Sequence, residues 1–154
     1  MSRLLALVLT GLLFLSACAP AGIDTGRASN GFRAYNLKAQ SPQSVRLRML
    51  DGINALRQSA GLPPLRLNDK LNRAAMLHSA DMAAQQRPWH FGHDGSNPVM
   101  RVQRVGYDKE LVGEDIGETY ETELEILAAW MEDPVTREPI MSPQAEDMGL
   151  GWYQ

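Results

Sequence analysis

The apolar positions of this chain recur at helical spacing in several stretches, separated by turn residues. Val45, Met49, Ile53 and Leu56 follow one another three or four residues apart, as one face of a helix requires. Ser41-Pro42 supplies a cap residue and then proline at the first helical position; Gly61 and Pro63-Pro64 end the run. A second helix is predicted from Asn68 to about Gln86. Leu71, Ala75, His78 and Met82 lie along one face of it, and Leu67, Ala74 and Leu77 broaden that face. Pro88 stops it. Asn97-Pro98 opens a short third helix with Met100, Val102 and Val105 as apolar positions, and Gly106 marks its end. Thr122 and Glu125 form a capping box for a fourth helix, whose inward face is Leu124, Leu127, Ala128 and Met131. Apolar residues flanking Gly113-Glu114-Asp115-Ile116-Gly117 predict a strand or strand edge. Residues 134–143 predict irregular chain, and residues 148–153 a last strand. No later segment is there to pair with that strand, so the expected sheet is very small or incomplete at the C-terminal end.

The N-terminal pattern is different. Leu4 to Leu15 is an apolar run broken only by Thr10 and Gly11, with Arg3 before it. It is too short to cross a bilayer core of about 30 Å and has the length of a signal-peptide core. Leu15-Ser16-Ala17-Cys18 then reads as a bacterial lipobox, which accounts for the position of the single cysteine. The expected organisation is a lipoprotein signal peptide at 1–17, a flexible tether at 18–40 and one domain at 41–154. Cys18 is the expected lipidation site and the membrane its partner. An ordinary secretory signal with a chance cysteine is the alternative, and it gives a secreted protein. Ala19 follows the cysteine; by resemblance to Gram-negative lipoproteins, a residue other than Asp there points to the outer membrane.

Composition narrows the classes further. The chain has 154 residues, 44% hydrophobic and 21% charged, as one globular domain does. Its formal charge is -3; losing Arg3 with the leader makes it -4. No basic cluster appears, so nucleic acid is not an expected partner.

The candidate chemistry sits in two polar knots. Trp89-His90-Phe91-Gly92-His93-Asp94-Gly95-Ser96 holds two of the three histidines in a glycine-containing loop. Gly113-Glu114-Asp115-Ile116-Gly117 follows about twenty residues later. The two knots are expected to meet across a cleft with His90 facing Glu114, and with His78 in the core or at the cleft edge. A neutral imidazole and a carboxylate can hold a divalent cation such as zinc at about 2.0–2.2 Å. They can equally form a hydrogen bond that pins the loop to the sheet edge. Hydrolysis would need a serine paired with a histidine, or a metal-bound water with Glu114 as base. Ser79 is adjacent to His78 on a helix and so faces elsewhere. No Gly-x-Ser-x-Gly elbow occurs, and Asp94-Gly95-Ser96 reads as turn chemistry. Trp89, Phe91, Tyr107 and Trp130 either rim a recognition site for an envelope lipid, a peptide or peptidoglycan, or pack in the core.

Asn54-x-x-Arg57-x-x-x-Gly61-Leu62-Pro63-Pro64-Leu65, His78-Ser79-Ala80-Asp81-Met82 and His90 with Asp94-Gly95-Ser96 come in this order. Arg104-x-Gly106-Tyr107, Gly113-Glu114-x-Ile116, Ala129-Trp130-Met131 and Gly149-Leu150-Gly151 follow. Together they resemble the bacterial CAP (SCP) domains, relatives of the cysteine-rich secretory, antigen 5 and pathogenesis-related 1 proteins. The resemblance covers about residues 44 to 153. It implies an α+β fold, an α–β–α sandwich around a small antiparallel sheet. It also implies a cleft of two histidines and two acids that binds zinc or another divalent cation in some members. Carried over by position, the first histidine is His90 and the first glutamate Glu114; the second acid falls at Glu132 or Asp133. The second histidine position is occupied here by Thr136, and the usual Asn after the glutamate is Asp115. The expected function is therefore a cell-envelope binding or structural module working through a His/Glu cleft, with a peptidase or esterase as the alternative.

Overall fold

In a computed structural model of the chain, the described residues are Asn36 and residues 39–154. The leader, Cys18 and most of the tether predicted at 18–40 lie outside them. Among the described residues no helix is long and apolar enough to cross a membrane.

Helix α1 spans Pro42–Ser59, with the Ser41 hydroxyl accepting from the Ser44 amide at 3.0 Å. Strand β1 is Arg66–Leu67, and α2 is Asp69–Gln85, capped by the Asn68 side chain. Helix α3 is Pro98–Arg104, capped by Asn97, and α4 is Glu123–Glu132 behind the Thr122–Glu125 capping box. Each of these ends satisfies backbone N–H groups that a helix cannot pair internally. Helix α5, Pro134–Met141, and strand β2, Asp147–Met148, complete the order. The chain predicted irregular at 134–143 is thus largely helical. Asp133 caps it by accepting from the Val135 amide at 2.8 Å, and Pro134 stands in its first turn. This is the cap-then-proline signal that opens α1 and α3.

The two strands pair in parallel, Arg66 opposite Asp147 and Leu67 opposite Met148. The antiparallel sheet implied by the resemblance is not what these residues form. Four helices intervene between β1 and β2, and such a crossover can return the chain in the same direction. The strand expected at 148–153 ends after Met148. Beyond it the chain lies on α2: a Cβ on Gly151 would stand 2.1 Å from the Met76 nitrogen, and one on Gly149 2.2 Å from the Leu71 carbonyl carbon. The Leu150 amide donates to Asn72 Oδ1 at 3.0 Å, and its carbonyl accepts from Arg46 Nε at 3.0 Å. Side chains of two helices thus replace a ladder. Residues 113–117 form no ladder either. Gly113 lies against Pro139, and the Ile116 carbonyl accepts from Trp130 Nε1 at 3.2 Å.

Helix α1 packs on α4 and β1, α4 on α5, and α2 on α3 and β2, so the small sheet lies between two helical layers. One core cluster joins Met49, Ile53, Leu65, Leu127, Ile140 and Ala145; another joins Leu71, Ala74, Val102 and Tyr107. Leu77 and Leu124, predicted inward, are about half exposed; Glu123 is buried instead and pairs with Arg48. Arg57 has no exposed surface. Its guanidinium donates to the carbonyls of Pro63, Ile140, Ser142 and Ala145 at 2.8, 2.8, 2.9 and 3.2 Å, tying α1 to the turn that follows it, to the end of α5 and to the segment beyond α5.

Candidate functional site

The loop between α2 and α3 is built by its own polar groups. The Gly92 amide donates to the Ser96 carbonyl at 2.8 Å and the Gly95 amide to the Gly92 carbonyl at 2.9 Å, with Gly95 at φ +77. Only glycine takes such a φ at little cost. Asp94 accepts from the Ser96 amide at 2.9 Å and from Arg104 at 2.5 Å. The Ser96 hydroxyl and amide, with Arg104, hold the Asp94 carboxyl well below its usual range. Asp81 of α2 accepts from the His93 amide at 3.0 Å and the His93 ring at 2.6 Å. The His93 ring is therefore held by α2.

On this frame His90 and Glu114 come together. His90 Nδ1 lies 3.0 Å from Glu114 Oε1, with half of the histidine side chain in solvent. The residue that organises the pair is not among those the sequence singles out. Arg101 of α3, with only 9% of its side chain exposed, sets Nη2 at 2.6 Å from both Glu114 oxygens. Its Nη1 donates to the carbonyls of His90 and Ser96 at 2.8 and 3.1 Å. One guanidinium thus clasps the loop to the wall carrying Glu114. The sequence signal is an arginine among the apolar positions of α3, too faint in seven residues to give a face.

His78 is buried behind this clasp. Its Nε2 lies 2.9 Å from the Trp89 carbonyl, which can only accept, so Nε2 carries the proton. Its Nδ1 is the one buried side-chain N or O without a partner among the described residues. Burial, with Arg101 acting in the same direction, lowers its pKa despite Glu114 nearby. The ring is therefore neutral at pH 7. Asp115 goes the other way: desolvation raises its pKa to about 6, Glu114 adding to this and His90 opposing it.

A cavity of about 980 Å³ runs inward from here, lined by His78, Glu114, Asp115, Tyr107, Trp130 and residues of both core clusters. His90 does not line it and meets it only through Glu114, which does. Trp89 and Phe91 do not line it either. Their ring centroids are 5.4 Å apart, and Arg87, which does line the cavity, lies 3.7 Å over the Trp89 ring. Asp133 caps α5. The Thr136 hydroxyl donates to the Trp130 carbonyl at 2.7 Å, closing the end of α4. Among the described residues no hydrogen bond or ion pair joins Glu132, Asp133 or Thr136 to His90 or Glu114.

The sequence pattern of the cysteine-rich secretory protein family, CAP, matches residues 50–154. The chain belongs to the CAP family. The uncharacterized protein YkwD of Bacillus subtilis (strain 168) is 27% identical over 122 residues, covering 77% of this chain and 48% of YkwD. The chain thus spans about half the length of that relative. An extracellular protein containing an SCP domain from Bacillus anthracis str. Ames superposes with a TM-score of 0.67 at 22% identity, over 75% of this chain and 41% of that one. An outer surface protein of Borrelia burgdorferi gives 0.65 at 18% identity, over 71% and 81%. These likenesses show the fold, which is the α+β architecture expected of a CAP domain.

The cation that the family resemblance implies does not suit this CAP domain's groups. Both Glu114 oxygens are bonded to a guanidinium, and Thr136 stands where the second imidazole would be and directs its hydroxyl to α4. Among the described residues no three His, Cys, Asp or Glu side chains are placed to hold a metal ion.

Proposed function

We propose that this CAP domain is a cell-envelope binding module whose cavity takes the apolar part of an envelope lipid. The cavity carries the reading: about 980 Å³, walled by Val45, Met49, Ile53, Leu71 and Val102, with His78, Glu114 and Asp115 clustered where it meets the loop. That is the size and polarity pattern of a small-molecule pocket. The hydrolase alternative finds less support. Glu114 is engaged by Arg101 rather than free as a base, and the Ser79 hydroxyl donates to the Ala75 carbonyl at 2.8 Å. An envelope address fits the lipobox at Cys18 and the outer-surface and extracellular descriptions of the two structural neighbours. Lipidation at Cys18 would tether the domain to the membrane, several acyl chains anchoring firmly at about 0.8 kcal/mol per buried CH₂.

The test is a fluorescence titration of the purified protein with cis-parinaric acid, followed by competition with phosphatidylethanolamine. Ile126 also lines the cavity, and saturable binding that weakens at least tenfold in a folded Ile126→Arg variant is the expected result. No saturable binding, or ester or peptide turnover that disappears in Glu114→Ala, would contradict the reading. Cys18→Ala should move the protein from the membrane to the soluble fraction; continued attachment would refute the anchor.

A further inference from the structure

We propose that Arg101 is the built-in cation of this site, and that its presence keeps divalent metal ions off the His90–Glu114 pair. The argument starts from spacing. His90 Nδ1 is 3.0 Å from Glu114 Oε1, and His78 Nε2 is 4.0 Å from the same oxygen. Two ligand atoms held at 2.0–2.1 Å on a tetrahedral zinc stand about 3.3 Å apart. The His90 imidazole and the Glu114 carboxylate are therefore held at nearly the spacing of two zinc ligands, whereas His78 Nε2 is engaged by the Trp89 carbonyl.

Glu114 is not free to take such an ion, because another cation is already on it. The Arg101 guanidinium reaches both Glu114 oxygens at 2.6 Å, and 9% of its side chain is exposed. A divalent ion on Glu114 would sit within a few ångströms of this fixed positive charge, in a partly desolvated site where repulsion is weakly screened. Arginine cannot give up its proton to relieve that repulsion. Nor can it swing aside freely, since Nη1 is held by the carbonyls of His90 and Ser96. Its planar set of donors orients the loop as a metal would orient its ligands, but through hydrogen bonds. The site thereby keeps its geometry without a metal, whatever the adjoining cavity binds.

Zinc titration calorimetry and cobalt absorption spectra on the chelator-stripped full chain test this directly. The wild type should take up no zinc that depends on His90. Arg101→Gln should gain one saturable zinc site at least tenfold tighter than any in the wild type, lost again when His90→Ala is added. One-to-one uptake by the wild type that disappears in His90→Ala would overturn the proposal. So would an Arg101→Gln protein that unfolds cooperatively yet gains no site. If Arg101→Gln does not fold, Arg101→Lys keeps the charge without the planar fork. It should remain free of zinc, and His90-dependent uptake by it would equally overturn the proposal.

Discussion

Replacing Asp115 by Asn should stabilise the protein at neutral pH and leave it unchanged in acid. Burial raises the Asp115 carboxyl from an ordinary 3.8 to about 6. The folded state therefore binds a proton that the unfolded chain releases across this interval. Stability from this group is fully present below pH 3.8 and is lost as the pH rises through about 6. Raising a carboxyl that far corresponds to about 3 kcal/mol. Asp115 is only partly buried, so solvent screening reduces this to about 1.5 kcal/mol. The groups facing it are Glu114, whose charge adds to the penalty, and His90, which opposes it. Asparagine keeps the shape and cannot ionise. Urea denaturation followed by circular dichroism at pH 4 and pH 7.5 provides the comparison. The variant should exceed the wild type by about 1.5 kcal/mol at pH 7.5 and match it near pH 4. An equal difference at both values would refute the reasoning, because the effect would then be one of packing and not of ionisation.

Two further outcomes follow from the packing. Arg57→Met should lower the urea-derived stability by about 4 kcal/mol or more, because four carbonyls lose their donor at about 1 kcal/mol or more each; a loss under about 1 kcal/mol would contradict the role given to this side chain. Gly151→Ala should force the C-terminal segment off α2, since the added methyl would stand 2.1 Å from the Met76 nitrogen. Hydrogen exchange at the Leu150 amide, held by Asn72, should accelerate at least tenfold, and unchanged protection would argue against that close approach.

Helix starts are the most legible part of the fold. Ser41, Asn68, Asn97 and Thr122 each cap the helix that the sequence assigns to them, because capping is local chemistry written in one or two residues. The same chemistry at Asp133-Pro134 is masked by Pro139 and Pro143, which suggest irregular chain. Pro139 is in fact accommodated within α5. Gly149-Leu150-Gly151 looks like a strand because small residues between apolar ones fit either a strand or a close backbone contact. Only the position of α2 decides between them. Strand direction is likewise illegible in two-residue strands with no alternation to read. Within the site, His90 and Glu114 are visible as polar knots, and the structure sets them 3.0 Å apart. Arg101 is not, since its role depends on three loop groups from elsewhere in the chain. Glu132, Asp133 and Thr136 enter only by family position. The Asp133 and Thr136 side chains serve the junction of α4 and α5 instead.

The clasp on which the site depends is best tested by a double-mutant cycle between Arg101 and Glu114, with Arg101→Gln, Glu114→Gln and the pair compared by urea denaturation at pH 7. A partly buried, charge-assisted contact predicts a coupling energy of about 2–3 kcal/mol. A coupling below about 0.5 kcal/mol, the value of an exposed ion pair, would mean that Arg101 does not hold Glu114 and that the cluster is not built as described.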